Sequence, residues 1–169
     1  RLCSWCIERH LGGCVGMSEW QILKDRWIQY YAKIAKETAL LSTAKKLQVG
    51  CVIVRDNRIL SVGYNGTPSG WDNECEEVVS PNEWVDYEQL KTKPEVLHAE
   101  ANALMKLCQS TESSLRATVF VTHTPCIECA KLIYQAGISK VYYINDYDAT
   151  KGCGKDFLEK AGIEVCQVS

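Results

Sequence analysis

Two short segments constrain this chain more than anything else in it: His98-Ala99-Glu100, and Pro125-Cys126-Ile127-Glu128-Cys129 further along. One imidazole and two thiols make three ligands for a tetrahedral Zn2+. Three protein ligands with an open fourth position mark a catalytic zinc, whereas a structural zinc is closed by four. Each segment opens a helical pattern after a strand or loop, so a fold that uses both must bring two helix starts to one point. Unpaired N–H groups and the helix dipole there favour thiolate over thiol at Cys126 and Cys129. Their i, i+3 spacing puts both sulfurs on one helix face. Glu100 is the candidate acid/base that moves protons at the metal; its bland alternative is a first-turn carboxylate complementing the dipole. A closed structural site would need a fourth ligand, and the other histidines are only His10 and His123. The Thr124-Pro125 turn places His123 poorly for that task.

The rest of the composition bounds the setting. At 169 residues the chain is one domain with enough length for a real core, and 46% apolar with 24% charged residues is ordinary for a globular protein. A formal net charge of −2 and a pI near 6.0 give no general attraction for phosphate backbones or anionic membranes. No apolar run is long enough to span a bilayer, and charges interrupt the N-terminal stretch where a signal peptide would be apolar. The expectation is a cytoplasmic enzyme with neither nucleic acid nor membrane as partner. Ten cysteines without an export signal argue for metal binding and small core residues rather than disulfides. Cys51 and Cys108, within apolar patterns, are expected in the core.

Residues 1–16 form an appended lead-in, with 17–169 as the catalytic domain. Cys3, Cys6, His10 and Cys14 could build a small zinc knuckle, or the stretch could be poorly ordered, since the Gly12-Gly13 pair offers little support. From Ser18, a plausible N-cap, Trp20, Leu23, Trp27, Tyr30, Ile34, Thr38 and Leu41 recur at helical spacing, predicting about six turns with an aromatic core stripe. Val49–Val54 reads as a buried strand, Asp56-Asn57 as a turn and Arg58–Tyr64 as the returning strand. Thr67–Leu97 is irregular and holds all but one of the four prolines, with a short helix expected over 81–90. Then follow a helix over 98–108 with Ala101, Leu104, Met105 and Cys108 on one side, and a strand over 118–122. A helix over 125–136, a strand over 140–144, a helix over 155–161 and a strand over 164–168 complete the chain. The order β-β-α-β-α-β-α-β predicts an α/β fold: three layers, α/β/α, around a five-stranded mixed sheet. That sheet is expected to be largely parallel, with an antiparallel hairpin at one side.

The H-x-E…P-C-x-x-C pattern is the signature of zinc nucleobase deaminases. Beyond the metal motif, residues 18–169 resemble the deoxycytidylate (dCMP) deaminases of the zinc-dependent cytidine deaminase superfamily. Four runs carry the resemblance in order: Val49–Val54, Gly63-Tyr64-Asn65-Gly66-Thr67-Pro68-Ser69-Gly70, His98–Ala103, and Cys129–Ile138. The zinc motif specifies the superfamily, and the Gly63–Gly70 run narrows it to dCMP deaminases. Deamination of cytosine needs N3 protonated for attack at C4 and a further proton for the departing amine, and one carboxyl can deliver both in turn.

The resemblance implies that His98, Cys126 and Cys129 bind Zn2+, that Glu100 shuttles protons, and that dCMP becomes dUMP for thymidylate synthesis. It implies that Asn65 hydrogen-bonds the sugar, that Tyr147 stacks on the pyrimidine, and that Ala99 lies against the substrate. It also implies a regulatory site bordered by Gly63, Tyr64, Asn65, Gly66, Thr67, Pro68 and Gly70, where dCTP activates and dTTP inhibits, with Mg2+ accompanying the effector. Asn-Gly is equally a strong β-turn signal. A homo-oligomer, commonly a hexamer, is the family habit. For the 5′-phosphate the candidates are Ser42, Thr43, Lys45 and Lys46. Here the chain departs from the family's Arg-Ser-x-Cys-x-Arg pattern, with Leu41, Ala44 and Lys46 replacing the arginines and cysteine. Lys46-Leu47 stands where some phage relatives carry a cysteine pair for a second, structural zinc, so that site is expected to be absent. Competing functions are a nucleic-acid deaminase, disfavoured by the acidic pI, and a non-catalytic scaffold, disfavoured by Glu100.

Overall fold

The structure is a computed structural model and describes residues 25–79, 89–147 and 152–168. Its centre is the run Cys51-Val52-Ile53-Val54, at most 2% exposed throughout. A strand that is apolar on both pleat faces must be covered on both sides. Strand β1 (Gly50–Arg55) is so covered. Asp56 and Asn57, both at positive φ, turn it back into β2 (Arg58–Tyr64) as a tight hairpin. A separate hairpin, β3 (Glu76–Val79) with β4 (Gln89–Thr92), precedes the helix that carries His98.

The main sheet has the order β2-β1-β5-β6-β7, with β5 Thr118–His123, β6 Lys140–Asn145 and β7 Glu164–Gln167. Strand β1 runs antiparallel to both β2 and β5, and the β5–β6 and β6–β7 pairs are parallel. Parallel neighbours need crossovers, and helices supply them: α3 (Ile127–Gln135) from β5 to β6, and α4 (Gly154–Lys160) from β6 to β7. These two and α2 (Ala99–Cys108) cover the Cys51, Ile53, Val119, Val121 and Val141 face. Helix α1 (Asp25–Ala39) covers the opposite face through Tyr31, Ala32 and Ala35 on Val52, Val54 and Phe120. The arrangement is the three-layer α/β/α fold with a five-stranded mixed sheet. Among the described residues no helix is long and apolar enough to cross a membrane.

Several expectations need correction. The sheet is parallel only over β5–β6–β7, because β1 pairs with β5 head to tail. In α1, Trp27, Ile34 and Thr38 pack as expected, but Tyr30 is exposed, and Leu41 is exposed in the turn beyond the helix end at Ala39; the seam runs through Tyr31, Ala32, Ala35 and Ala39. The cause is Gly50, whose hydrogen faces the Ala35 carbonyl and Ala39 amide so closely that only small residues fit between helix and strand. Helix α2 is rotated likewise: it buries Ala99, Glu100, Ala103, Leu104 and Leu107, while Met105 and Cys108 face outward. Cys108 is therefore not a core residue, unlike Cys51. The helix expected over 81–90 fails at its end, where Gln89–Thr92 is a strand; 80–88 lie outside the described residues, as do 1–24 and the proposed knuckle of Cys3, Cys6, His10 and Cys14.

Candidate active site

The sheet order places one edge of the molecule in charge of the chemistry. Because β1 opposes β5, the start of β1, the end of β2 and the carboxyl ends of β5 and β6 all meet there, tied by a hydrogen bond from Gly50 N–H to Thr122 Oγ1 (3.1 Å). Ligands in open α/β sheets characteristically sit beyond the carboxyl ends of strands. His98 is the N-cap residue of α2 and Cys126 that of α3, both with extended backbone, and neither side chain caps its own helix. The cap geometry therefore turns both side chains toward the gap between the helix starts.

There, His98 Nδ1 lies 3.5 Å from Cys126 Sγ and 3.4 Å from Cys129 Sγ. All three donor atoms fall within 4.8 Å of one another. Tetrahedral Zn2+, with Zn–N about 2.05 Å and Zn–S about 2.3 Å, sets N···S separations of about 3.6 Å. The donor set and its spacing fit zinc. Cys126 is drawn down to about 3, chiefly by the hydrogen bond from Cys129, and the same bond pushes Cys129 well up. A bound dication would favour the thiolate form of both.

Glu100, on the first turn of α2, is 5% exposed. Burial raises its carboxyl above the ordinary range, opposed by a backbone hydrogen bond and by the neighbouring His98. It opens, with His98 and Cys126, onto a pocket of about 260 Å3, while Cys129 is buried and does not line it. Of the other expected substrate residues, the structure brings Asn65, Ala99, Lys46 and Tyr147 to this pocket. Tyr147 is 45% exposed, its backbone N–H held by Thr124 Oγ1 (3.0 Å) and its ring edge-on to His123. Ser42 and Thr43 do not line the pocket. Ser42 Oγ is buried and donates to Asn65 O (2.7 Å), and Thr43 Oγ1 donates to Asn73 O (2.9 Å).

The Gly63–Gly70 run is built into the scaffold of the site. Gly63 lies directly on the backbone of Ala99 and Ala103. Tyr64 O accepts from Asn102 Nδ2 (2.9 Å), and Lys106 Nζ sits over the Tyr64 ring. Asn65 spends its amide on the α1–β1 connection, accepting from Val49 N–H (2.8 Å) and donating to Leu47 O (2.8 Å). Gly66 exchanges two backbone hydrogen bonds with Leu97, the residue before His98. Thr67 bonds Asp72 O, Pro68 O accepts from Trp71 N–H, and Gly70 takes φ +88°.

Several pocket residues escaped the sequence reading, notably His123, Thr124, Glu76 and Thr92. His123 is the last residue of β5, and the sequence offers it only as a fourth metal ligand; its Nδ1 instead meets Thr122 Oγ1 at 3.0 Å. Being a histidine at the carboxyl end of a strand was its available signal. Glu76 lay in the stretch without periodicity and gave none. A second hollow, about 430 Å3 and mostly apolar, lies between α2 and α3 around Met105 and Leu132, away from the donor trio.

Comparison with known proteins places this geometry. A family model for the cytidine and deoxycytidylate deaminase zinc-binding region matches residues 25–145. ComE operon protein 2 of Bacillus subtilis is 38% identical over 142 residues, 84% of this chain and 71% of the relative. Deoxycytidylate deaminase of enterobacteria phage T2 is 34% identical over 153 residues, 72% of this chain and 81% of the relative. The dCMP deaminase of cyanophage S-TIM5, solved in complex with dCMP and dUMP, superposes with a TM-score of 0.76 at 40% identity, over 87% of this chain and 100% of that one. The matched region runs from the start of α1 to the end of β6 and so takes in every pocket residue except Tyr147; this chain belongs to the cytidine and deoxycytidylate deaminase family.

Proposed function

We infer that this chain is a dCMP deaminase: dCMP and water give dUMP and ammonia. The observation that carries the reading is a zinc-type donor trio, two members of which, His98 and Cys126, line one pocket together with a buried carboxyl, an aromatic face and a lysine, in a chain 40% identical to a deaminase solved with dCMP and dUMP.

Bound Zn2+ supplies the Lewis acidity that brings loss of a water proton to about pH 7, against 15.7 in bulk. Glu100 would take that proton and pass it to N3 of cytosine. It would then take the second proton of the water from the hydroxyl added at C4 and deliver it to the departing amine, leaving the C4 carbonyl of dUMP. Its burial keeps bulk water from competing for the transfer. Tyr147 offers its ring to the pyrimidine, a contact worth about 1 to 3 kcal/mol per base. Asn65 holds the Leu47–Val49 wall of the pocket with its amide. One N–H and one lone pair of that amide remain for the sugar. Lys46 meets the 5′-phosphate, the only one of the candidates Ser42, Thr43, Lys45 and Lys46 on the pocket wall.

The reading extends to feedback control by dCTP and dTTP at the Gly63–Gly70 turn, to a homo-oligomer such as a hexamer, and to a cytoplasmic location, all supported by the family resemblance. Among the described residues, His98, Cys126 and Cys129 gather as a metal-binding group of three; Mg2+ with the effector nucleotide is what the family resemblance implies. The test is to assay dCMP, dCTP, cytidine and a single-stranded oligonucleotide side by side, with and without added dCTP and dTTP. Turnover of dCMP in preference to the others is expected. Turnover of the oligonucleotide but not dCMP would overturn the reading.

A further inference from the structure

Residues 42–48 connect α1 to β1 without helix or strand of their own, yet they carry Lys46 to the pocket. Their shape is imposed from the far side of the site, by the stretch entering β3. Thr43 Oγ1 donates to Asn73 O and lies 3.5 Å from Cys75 Sγ. Ala44, Cys75 and Val96 form a small buried cluster of their own. Glu76 then sets one carboxylate oxygen on Lys45 N–H (3.1 Å) and the other on Lys46 N–H (3.2 Å).

That last contact is chemically unusual. Glu76 is 9% exposed and has no ion-pair partner among the described residues. A buried carboxylate that forgoes a cation costs desolvation free energy, so here two backbone donors must compensate it. Successive N–H groups converging on one anion make the kind of cradle that binds phosphate. The chain fills this cradle with its own carboxylate, so a nucleotide phosphate finds those amides already taken. What remains at that wall is the Lys46 side chain, exposed and without a hydrogen-bond or ion-pair partner among the described residues, on a backbone pinned at its own N–H.

We propose that Glu76 is a positioning residue: by occupying the Lys45–Lys46 cradle it fixes Lys46 against the 5′-phosphate and sets the preference for nucleotide over nucleoside. The proposal rests on the dCMP reading of the pocket. It is tested on the zinc-loaded enzyme by the ratio of kcat/KM for dCMP to that for deoxycytidine, in wild type, Glu76→Gln, Lys46→Ala, Lys46→Arg and the Glu76→Gln/Lys46→Ala double variant. A wild type that turns over neither substrate, or shows no preference for dCMP, sinks the dCMP reading itself, before any variant is compared.

With the wild-type preference established, Glu76→Gln, which can satisfy only one of the two N–H groups, should lower it about ten-fold through KM for dCMP rather than kcat. Lys46→Ala should do the same, Lys46→Arg should restore most of it, and the double variant should fall no further than Lys46→Ala. Glu76→Asp, which keeps the charge but shortens the reach, makes the same comparison if Glu76→Gln does not fold, and the same drop is expected. Equal losses on both substrates, or additive losses in the double variant, would reduce Glu76 to a structural part and overturn the proposal. So would a preference that rises on losing the carboxylate, because the cradle would then be receiving the phosphate itself.

Discussion

Gly63 of β2 and Ala99 of α2 meet backbone to backbone: a Cβ at Gly63 would run into the Ala99 carbonyl oxygen and stand 2.9 Å from the Ala103 methyl. Since Ala99 directly follows His98, the glycine sets how close the metal-binding helix start approaches the sheet. Gly63→Ala should therefore destabilise the fold by about 1 to 3 kcal/mol, the range for overpacking, and weaken zinc binding at the same time. Urea unfolding and a zinc titration check both halves. A variant with wild-type stability and metal affinity would show that the helix can slide without cost.

Glu100 is buried beside the donor trio yet lies outside the group of three donors. Glu100→Gln should lower turnover by about 10² to 10⁴-fold, the range for losing a general acid/base, with one zinc per chain retained. Elemental analysis alongside the assay separates the alternatives, because loss of metal would make Glu100 a ligand rather than a proton carrier.

His98 and Cys126 begin different helices, so a shared metal joins α2 to α3. Removing zinc with a chelator, or mutating Cys126→Ser, should lower both metal content and melting temperature, because ligand binding to the native state adds to folding free energy. Unchanged zinc stoichiometry in Cys126→Ser would remove Cys126 from the donor set.

Tyr142 of β6 stacks on Phe120 and is 8% exposed, and burial pushes its phenol from 10.0 to about 12, against an opposing pull from Lys140. The folded state then holds this proton more tightly than the unfolded chain. Its contribution is complete below pH 10 and is lost as pH rises from about 10 to 12, at about 1.4 kcal/mol per unit. Tyr142→Phe, which keeps the ring stack, should flatten the alkaline limb of a stability–pH profile in that window. A limb as steep as wild type would place the alkaline sensitivity elsewhere.

The five strands of the main sheet, the crossover helices and the pair of helix starts were legible because each is encoded within a short window; the β3–β4 hairpin was not. Val52, Ile53 and Val54 announce a strand covered on both faces, and Asp56-Asn57 announces its turn. Helix faces were legible only in part. In α1 the expected stripe named Tyr30, and in α2 it named Met105 and Cys108, all of which are exposed. Both errors share one cause: large apolar residues attract a periodicity argument, while Gly50 and Gly63 select alanine faces by letting the helices come close. Packing distance outweighed side-chain size.

Ligand chemistry divides along the same line. Residue type and spacing determine that His98, Cys126 and Cys129 suit zinc and that a carboxyl accompanies them, because i, i+2 and i, i+3 relations hold in any helix start. The company they keep in the pocket is not local information. Thr92 and Glu76 come from a hairpin in the least periodic stretch, His123 from a strand end, and Lys46 from a connection whose shape another segment imposes. Those meetings depend on β1 pairing antiparallel with β5, which swings the start of one strand and the end of the other to the same edge. Long-range pairing is settled by burial over the whole sheet, and no short window of the chain contains it.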